Sequence, residues 1–149
     1  LRRACPPIAI TSDVIVGFPG ETDEDLEATL ALMEEVRFDD LFSFNYSDRP
    51  MISALRLDGK IPSEVKAQRR TRLQVLQNEH SIARNRMLLN AEEEVLVEGI
   101  SKKDPRRVTG KTRSNKTVIA EGGEELTGRL MSVRIRKVTA HTLHGDIAC

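Results

Sequence analysis

The sequence is poor in rings. It has no tryptophan, one tyrosine and four phenylalanines among 149 residues, and no Phe, Tyr or Trp follows Tyr46. Any nucleic-acid contact in the last hundred residues therefore has no aromatic platform for stacking bases, which favours recognition of shape and backbone. Cysteine is scarce too. Cys5 and Cys149 stand at opposite ends without metal-ligand spacing, so two unrelated reduced thiols are expected, with no zinc or iron–sulfur motif within the chain. His80, His141 and His144 likewise lack partners at ligand spacing and are expected at the surface or in packing roles. No apolar run approaches the ~20 residues that cross a bilayer. Nor is there a basic segment leading into an apolar one, as in a secretory signal. A cytoplasmic protein with no membrane partner is the expectation.

What is present is unevenly distributed. The formal net charge is zero. Yet residues 1–59 hold five Lys and Arg against twelve Asp and Glu, residues 60–90 seven against two, and residues 91–149 eleven against nine. An acidic first part and a basic remainder place an anionic partner on the C-terminal side. The chain opens on Leu1 and enters a core strand almost at once, so it is expected to be cut from something longer.

Ile8, Ile10 and Val14-Ile15-Val16 form an apolar run between Pro6-Pro7 and Gly17, which predicts a strand buried on both faces. Gly17-Phe18-Pro19-Gly20 breaks it. Thr22 with Asp25 three residues later signals a capped helix start, and Leu26, Leu30 and Met33 continue at helical spacing. Phe42, Phe44 and Tyr46 alternate in a second strand. Strand, helix and strand within about 40 residues make one βαβ unit of a parallel sheet. Ser63 is expected to cap a long helix reaching about Leu89, with a thin apolar stripe at Val65, Leu73, Leu76, Ala83 and Met87. Its many basic residues, among them Arg69, Arg70 and Arg72, read either as a solvated face or as nucleic-acid contacts. From Glu94 the texture changes to five short strands: 95–97, 108–111, 117–120, 128–136 and 142–147. Gly99, Gly110, Gly122-Gly123, Gly128 and Gly145 are expected at turns or bulges. Five short strands in about 60 residues suggest a small closed barrel of the OB class.

The segment Asp13 to Glu21 ends a strand of a parallel sheet, where such sheets bind ligands. Its two glycines permit positive φ and close approach of a ligand to backbone. Phosphate is a poor fit, because no Gly-Lys-Ser/Thr follows and Asp23, Glu24 and Asp25 would repel it. A neutral or cationic ligand fits better. On spacing alone, a plain strand-to-helix turn is an equal reading.

The wording of the segment is more specific. Ile10-Thr11-Ser12-Asp13-Val14-Ile15-Val16-Gly17-Phe18-Pro19-Gly20-Glu21-Thr22 resembles the T-D-x-I-V-G-F-P-G-E-T segment of MiaB-type methylthiotransferases. Phe42-Ser43-Phe44-Asn45-Tyr46-Ser47-Asp48-Arg49-Pro50 is similar to that family's F-x-F-x-Y-S-x-R-P. Val95-Leu96-Val97-Glu98-Gly99-Ile100-Ser101-Lys102-Lys103, Gly110-Lys111-Thr112 and Leu126-Thr127-Gly128 resemble the signposts of the TRAM domain, the RNA-binding β-barrel that ends those enzymes. The resemblance covers nearly the whole chain in order.

The resemblance implies the tail of a radical S-adenosylmethionine β/α barrel over residues 1–84, followed by a five-stranded, OB-like TRAM barrel over residues 85–149. In the family, S-adenosylmethionine beside a 4Fe–4S cluster yields a 5′-deoxyadenosyl radical, and sulfur is inserted and methylated; the cofactors carry that chemistry and the protein positions them. Gly17, Phe18, Pro19 and Gly20 are the implied cofactor-binding residues. No catalytic or metal-binding residue is expected in this chain. The family's C-x-x-x-C-x-x-C motif and second set of three cysteines are absent here, so ligands to both clusters are expected upstream. A second departure is Met51-Ile52 where the family usually has Gly-Thr after Arg-Pro. Within the β-domain Lys102, Lys103, Arg106, Arg107, Lys111, Arg113 and Lys116 are the candidate RNA-binding residues, suited to positioning phosphates. A solvated basic loop is the bland alternative.

The expected function is therefore methylthiolation of an isopentenylated (dimethylallyl) adenosine beside a tRNA anticodon. A monomer that binds the anticodon stem-loop, with an unknown sulfur donor, is expected. Arg49-Pro50 favours this branch over the sibling that modifies a ribosomal-protein aspartate; enzymes acting on threonylcarbamoyl-adenosine stay open. A non-catalytic TRAM-type RNA-binding protein is the alternative of another class, and the GFPGE strand argues against it.

Overall fold

The computed structural model describes residues 1–148, which divide into two compact units, residues 10–80 and residues 1–9 with 81 onward. Cys5 is an exposed free thiol, whereas Cys149 lies outside the described residues. Among the described residues no helix is long and apolar enough to cross a membrane, and no cluster of His, Cys, Asp and Glu could hold a metal ion.

In the first unit β1 (Thr11–Val16) and β2 (Asp40–Asn45) pair in parallel, in register from Thr11 opposite Asp40 to Val16 opposite Asn45. Helix α1 (Asp23–Val36) connects them, as the βαβ reading expects. Its start is set by local chemistry. The Thr22 hydroxyl accepts from the Asp25 amide at 3.2 Å, and the Asp25 carboxylate accepts from the Thr22 amide at 2.9 Å. The Thr22 amide first, and then the Thr22 hydroxyl donating to Asp25 Oδ2 at 3.0 Å, hold the Asp25 carboxyl below its ordinary value. Thr22→Ala is expected to cost about 1 kcal/mol, read as a lower urea midpoint of this unit's transition. Arg37 then ends the helix in the left-handed conformation, its amide donating to the Met33 carbonyl.

Val16 and Leu41 bury one sheet face against Leu26 and Met33 of α1 and Leu73 of α2 (Ser63–Arg86). Alternation turns Ile15, Phe42 and Phe44 to the other face, where each is more than half exposed. The expectation of a strand buried on both faces is thus corrected: the helices that cover this two-stranded sheet pack on a single side.

Helix α2 departs from its expected stripe. Leu73 is buried and Val65 and Leu76 are half-buried, but Ala83 and Met87 are exposed. The buried register is largely polar instead: Arg69, Gln77, His80, Ser81 and Asn85. These side chains satisfy groups that apolar ones would leave bare. Gln77 Nε2 donates to the Phe38 carbonyl at 3.0 Å, and His80 Nε2 lies 3.1 Å from Glu34 Oε2. Ser63 does not cap this helix as expected. It is the first helical residue, the Lys66 amide donates to the Pro62 carbonyl, and the Ser63 hydroxyl bonds the Glu64 carboxylate.

The second unit contains five strands: β3 (Glu92–Ser101), β4 (Asp104–Thr112), β5 (Thr117–Glu121), β6 (Leu130–Val138) and β7 (Leu143–Ile147). They close into a barrel in the order β3-β4-β5-β7-β6, with β6 returning to β3. All pairs are antiparallel except β5 with β7. The expected five-stranded closed barrel is present. Its interior is Val95, Val97, Val108, Val118, Ala120, Val133, Ile135 and Leu143, with the intervening residues turned outward. Gly99 lies at a bulge in β3, as expected. Gly110 and Gly145 lie opposite the bulges of β3 and β6, in keeping with the expectation, and opposite backbone there passes too close for a Cβ. Asn85 Nδ2 donates to the carbonyls of Thr139 and Ala140 at 2.8 and 3.1 Å, tying the last turn of α2 to the β6–β7 connection.

Candidate cofactor loop and nucleic-acid interface

The carboxyl end of β1 leads into a loop held from several directions. Gly17 and Gly20 have φ of 73° and 84°, which glycine adopts without a steric cost. A Cβ on Gly17 would stand 2.1 Å from Lys66 Cγ, so both conformation and space require glycine there. A Cβ on Gly20 would meet nothing within 4 Å, so its backbone is open on that side, while its amide donates to the Gly59 carbonyl at 3.0 Å. Pro19 is buried and Phe18 is exposed.

Glu21 is the centre of the loop's polar network. Its Oε2 accepts from the Gly17 amide at 2.9 Å, and its Oε1 pairs with Arg69 Nη1. Arg69 also donates to the Glu21 carbonyl at 3.1 Å and to Asp23 Oδ1 at 2.8 Å. The side chains of Arg69 and Glu21 are 8% and 14% exposed, so this pair is largely withdrawn from water. Arg69 is accordingly a structural cation of the loop, not part of a solvated or nucleic-acid-binding helix face. Composition could not distinguish it from Arg70 and Arg72, since only tertiary packing selects which arginine turns inward.

Tyr46, just past β2, closes the other side. Its amide donates to the Val16 carbonyl at 2.8 Å, and its ring meets Phe18 edge-on at 5.1 Å. Lys60 Nζ and Lys66 Nζ lie 5.5 and 5.9 Å from the ring centroid, within cation–π range. Lys66 also donates to the Tyr46 carbonyl at 3.0 Å. Hydrogen bonds from Lys60 and then from the Tyr46 hydroxyl hold the Asp48 carboxyl below its usual range. The motif singles out Gly17, Phe18, Pro19 and Gly20; the fold adds Glu21, Arg69, Tyr46, Lys60 and Lys66 around them.

The seven basic residues of the barrel fall into two groups. Lys102 and Lys103 occupy the β3–β4 turn, with Arg106 and Arg107 at the start of β4. Lys111, Arg113 and Lys116 lie at the other end of β4 and in the turn to β5, with Lys111 about 13 Å along the strand from Arg107. Several are already engaged. Arg106 and Arg107 lie 3.3 and 3.6 Å from Asp104, Arg113 pairs with Glu94 at 2.8 Å, and Lys111 donates to the Thr117 hydroxyl at 2.9 Å. Strand β4 thus carries one cluster at each end instead of a single continuous patch.

A closed five-stranded barrel with an OB-type strand order and basic turns defines a class of small nucleic-acid-binding modules, and residues 86–148 match the TRAM domain family. Along its whole length the chain is 45% identical to a tRNA-2-methylthio-N(6)-dimethylallyladenosine synthase of Syntrophus aciditrophicus, covering 32% of that protein. Over 99% of the chain it is 47% identical to the synthase of the same name from Moorella thermoacetica, covering 33% of it. Over 97% it is 47% identical to that of Aeromonas hydrophila, covering 30%. The chain is thus similar along its whole length to the C-terminal region of these synthases, as the motif resemblance implied. It spans about a third of the length of these curated relatives.

Proposed function

We propose that the chain is the C-terminal portion of a radical S-adenosylmethionine enzyme that converts N6-dimethylallyladenosine beside a tRNA anticodon to its 2-methylthio derivative. The observation that carries this reading is the unbroken similarity, at 44–47% identity, to synthases named for that product. In this reading residues 1–84 end a β/α barrel and residues 85–149 are the TRAM barrel that holds the tRNA. The parallel β1–β2 pair, covered by helices on one face and apolar on the other, is consistent with such a barrel.

The loop at Gly17, Phe18, Pro19 and Gly20 fits S-adenosylmethionine in kind. An open backbone at Gly20, the exposed Phe18 ring and three carboxylates at Asp23, Glu24 and Asp25 suit a cationic sulfonium ligand better than a phosphate. When bound, that cofactor supplies the radical chemistry; the chain's own part is to hold its loop in one conformation through Glu21 and Arg69. The iron–sulfur clusters do not fit the described residues, which offer no ligand set, so their ligands are assigned to a part of the enzyme outside these 149 residues.

The coding sequence upstream of Leu1 tests the reading directly. A C-x-x-x-C-x-x-C motif is expected within the preceding ~150–250 residues, the length such barrels need. Its absence would sink the radical-enzyme assignment. RNA binding by the chain, weakening as salt is raised, tests the tRNA-holding role separately.

A further inference from the structure

We propose that the outer barrel face where β4, β5, β7 and β6 lie side by side binds RNA phosphates through Arg107, Lys111 and Lys137, with His144 between them. This deepens the tRNA-holding role of the TRAM barrel and rests on it. Lys137 and His144 lie outside the basic segment from Lys102 to Lys116, and strand register alone brings them to it. Lys137 pairs with His144 across β6–β7, His144 with Ile119 across β5–β7, and Ile119 with Thr109 across β4–β5. One row thus crosses four strands. Burial of Val108 and Gly110 turns Arg107, Thr109 and Lys111 outward on β4, so two cations flank the row's β4 end. Lys137 closes its other end.

The charges on this face are incompletely neutralised. Among the described residues neither Lys111 nor Lys137 has a carboxylate within ion-pair distance. Arg107 is the most compensated, with Asp104 at 3.6 Å and Glu121 opposite in the β4–β5 register. Burial first, then the charges of Lys137 and Arg107, push the His144 imidazole below its ordinary value. Beside His144 the surface between them is Thr109 and Ile119, which carry no charge. Neighbouring Arg136 is different, since its guanidinium is occupied by Asp146 at 2.9 Å. An unneutralised cation releases counterions from RNA when it meets a phosphate, and a paired one does so far less.

The test is fluorescence anisotropy of a labelled RNA stem-loop with the full 149-residue chain over a range of KCl concentrations. Lys137→Gln is expected to weaken binding about three- to tenfold and to lower the salt slope by about one. His144→Glu, which puts a carboxylate at the centre of the face, is expected to weaken it at least tenfold. Arg136→Gln should leave both affinity and slope unchanged. All three positions are at least partly exposed on the barrel surface, and an unchanged circular dichroism melting curve verifies folding. Wild-type affinity and slope in both Lys137→Gln and His144→Glu, with loss confined to Lys102→Gln and Lys103→Gln, would overturn the inference while leaving RNA binding intact. A wild-type chain that binds no RNA at the lowest salt would overturn the RNA-binding reading and this inference together.

Discussion

Replacing Arg69 with methionine is expected to lower the stability of the first unit by about 3 kcal/mol, as breaking one partner of a buried ion pair does. Methionine keeps the aliphatic volume but leaves the Glu21 carboxylate, 14% exposed, without its cation. It also strips the Glu21 carbonyl and Asp23 of a donor. The chain offers a clean probe, because Tyr46 is its single tyrosine and tryptophan is absent, so intrinsic fluorescence reports this unit. A urea titration followed by that signal should show the midpoint fall. Arg72→Met is the control: Arg72 and Glu27 also pair at 2.7 Å, but their side chains are 51% and 60% exposed, and the midpoint should hardly move. Adding Glu21→Gln to Arg69→Met should recover part of the loss, since the uncompensated buried charge is then gone. Equal midpoints for the Arg69 and Arg72 variants would refute the role assigned to Arg69.

Gly145→Ala is expected to be similarly damaging, by about 3 kcal/mol, for a purely steric reason. A Cβ there would lie 2.3 Å from the Arg134 carbonyl oxygen and 2.8 Å from Val133 Cγ1. Neither is the free end of a flexible side chain. The obstructing oxygen belongs to the backbone of β6, and moving it means opening the β6–β7 ladder. Gly110 faces the same obstacle from the Leu96 carbonyl oxygen, also at 2.3 Å, so Gly110→Ala should behave alike. Gly128→Ala provides the contrast. Its φ is 79° but nothing lies within 4 Å, so only the left-handed backbone cost of about 1 kcal/mol applies. Far-UV circular dichroism during urea unfolding separates these cases. A Gly145→Ala chain no less stable than Gly128→Ala would show that the barrel can yield at this contact.

Much of the local architecture was legible because its causes are local. Thr22 and Asp25 form the capping box that their spacing announces, and two parallel strands flank that helix as the βαβ pattern requires. The five barrel strands follow from alternation and from turn residues, including the bulge at Gly99. The motif wording around Gly17 to Glu21 carried the resemblance that the similar synthases bear out.

Other features depend on what each segment meets from far along the chain. Ala83 and Met87 look like part of a core stripe, yet Arg69, Gln77 and His80 take the buried register because Glu21, the Phe38 carbonyl and Glu34 await them. Gly110 and Gly145 read as punctuation, and only strand pairing shows that they clear a path for the backbone opposite. The run from Lys102 to Lys116 reads as one patch, but a nine-residue strand separates its ends, and register brings Lys137 and His144 to the face instead. By itself the sequence determined element types and their order, since hydrogen bonds and side-chain periods over a few residues govern those. Which charges are buried, neutralised or gathered on one surface was decided by tertiary structure, because strand pairing and helix packing choose neighbours that separation along the chain does not reveal.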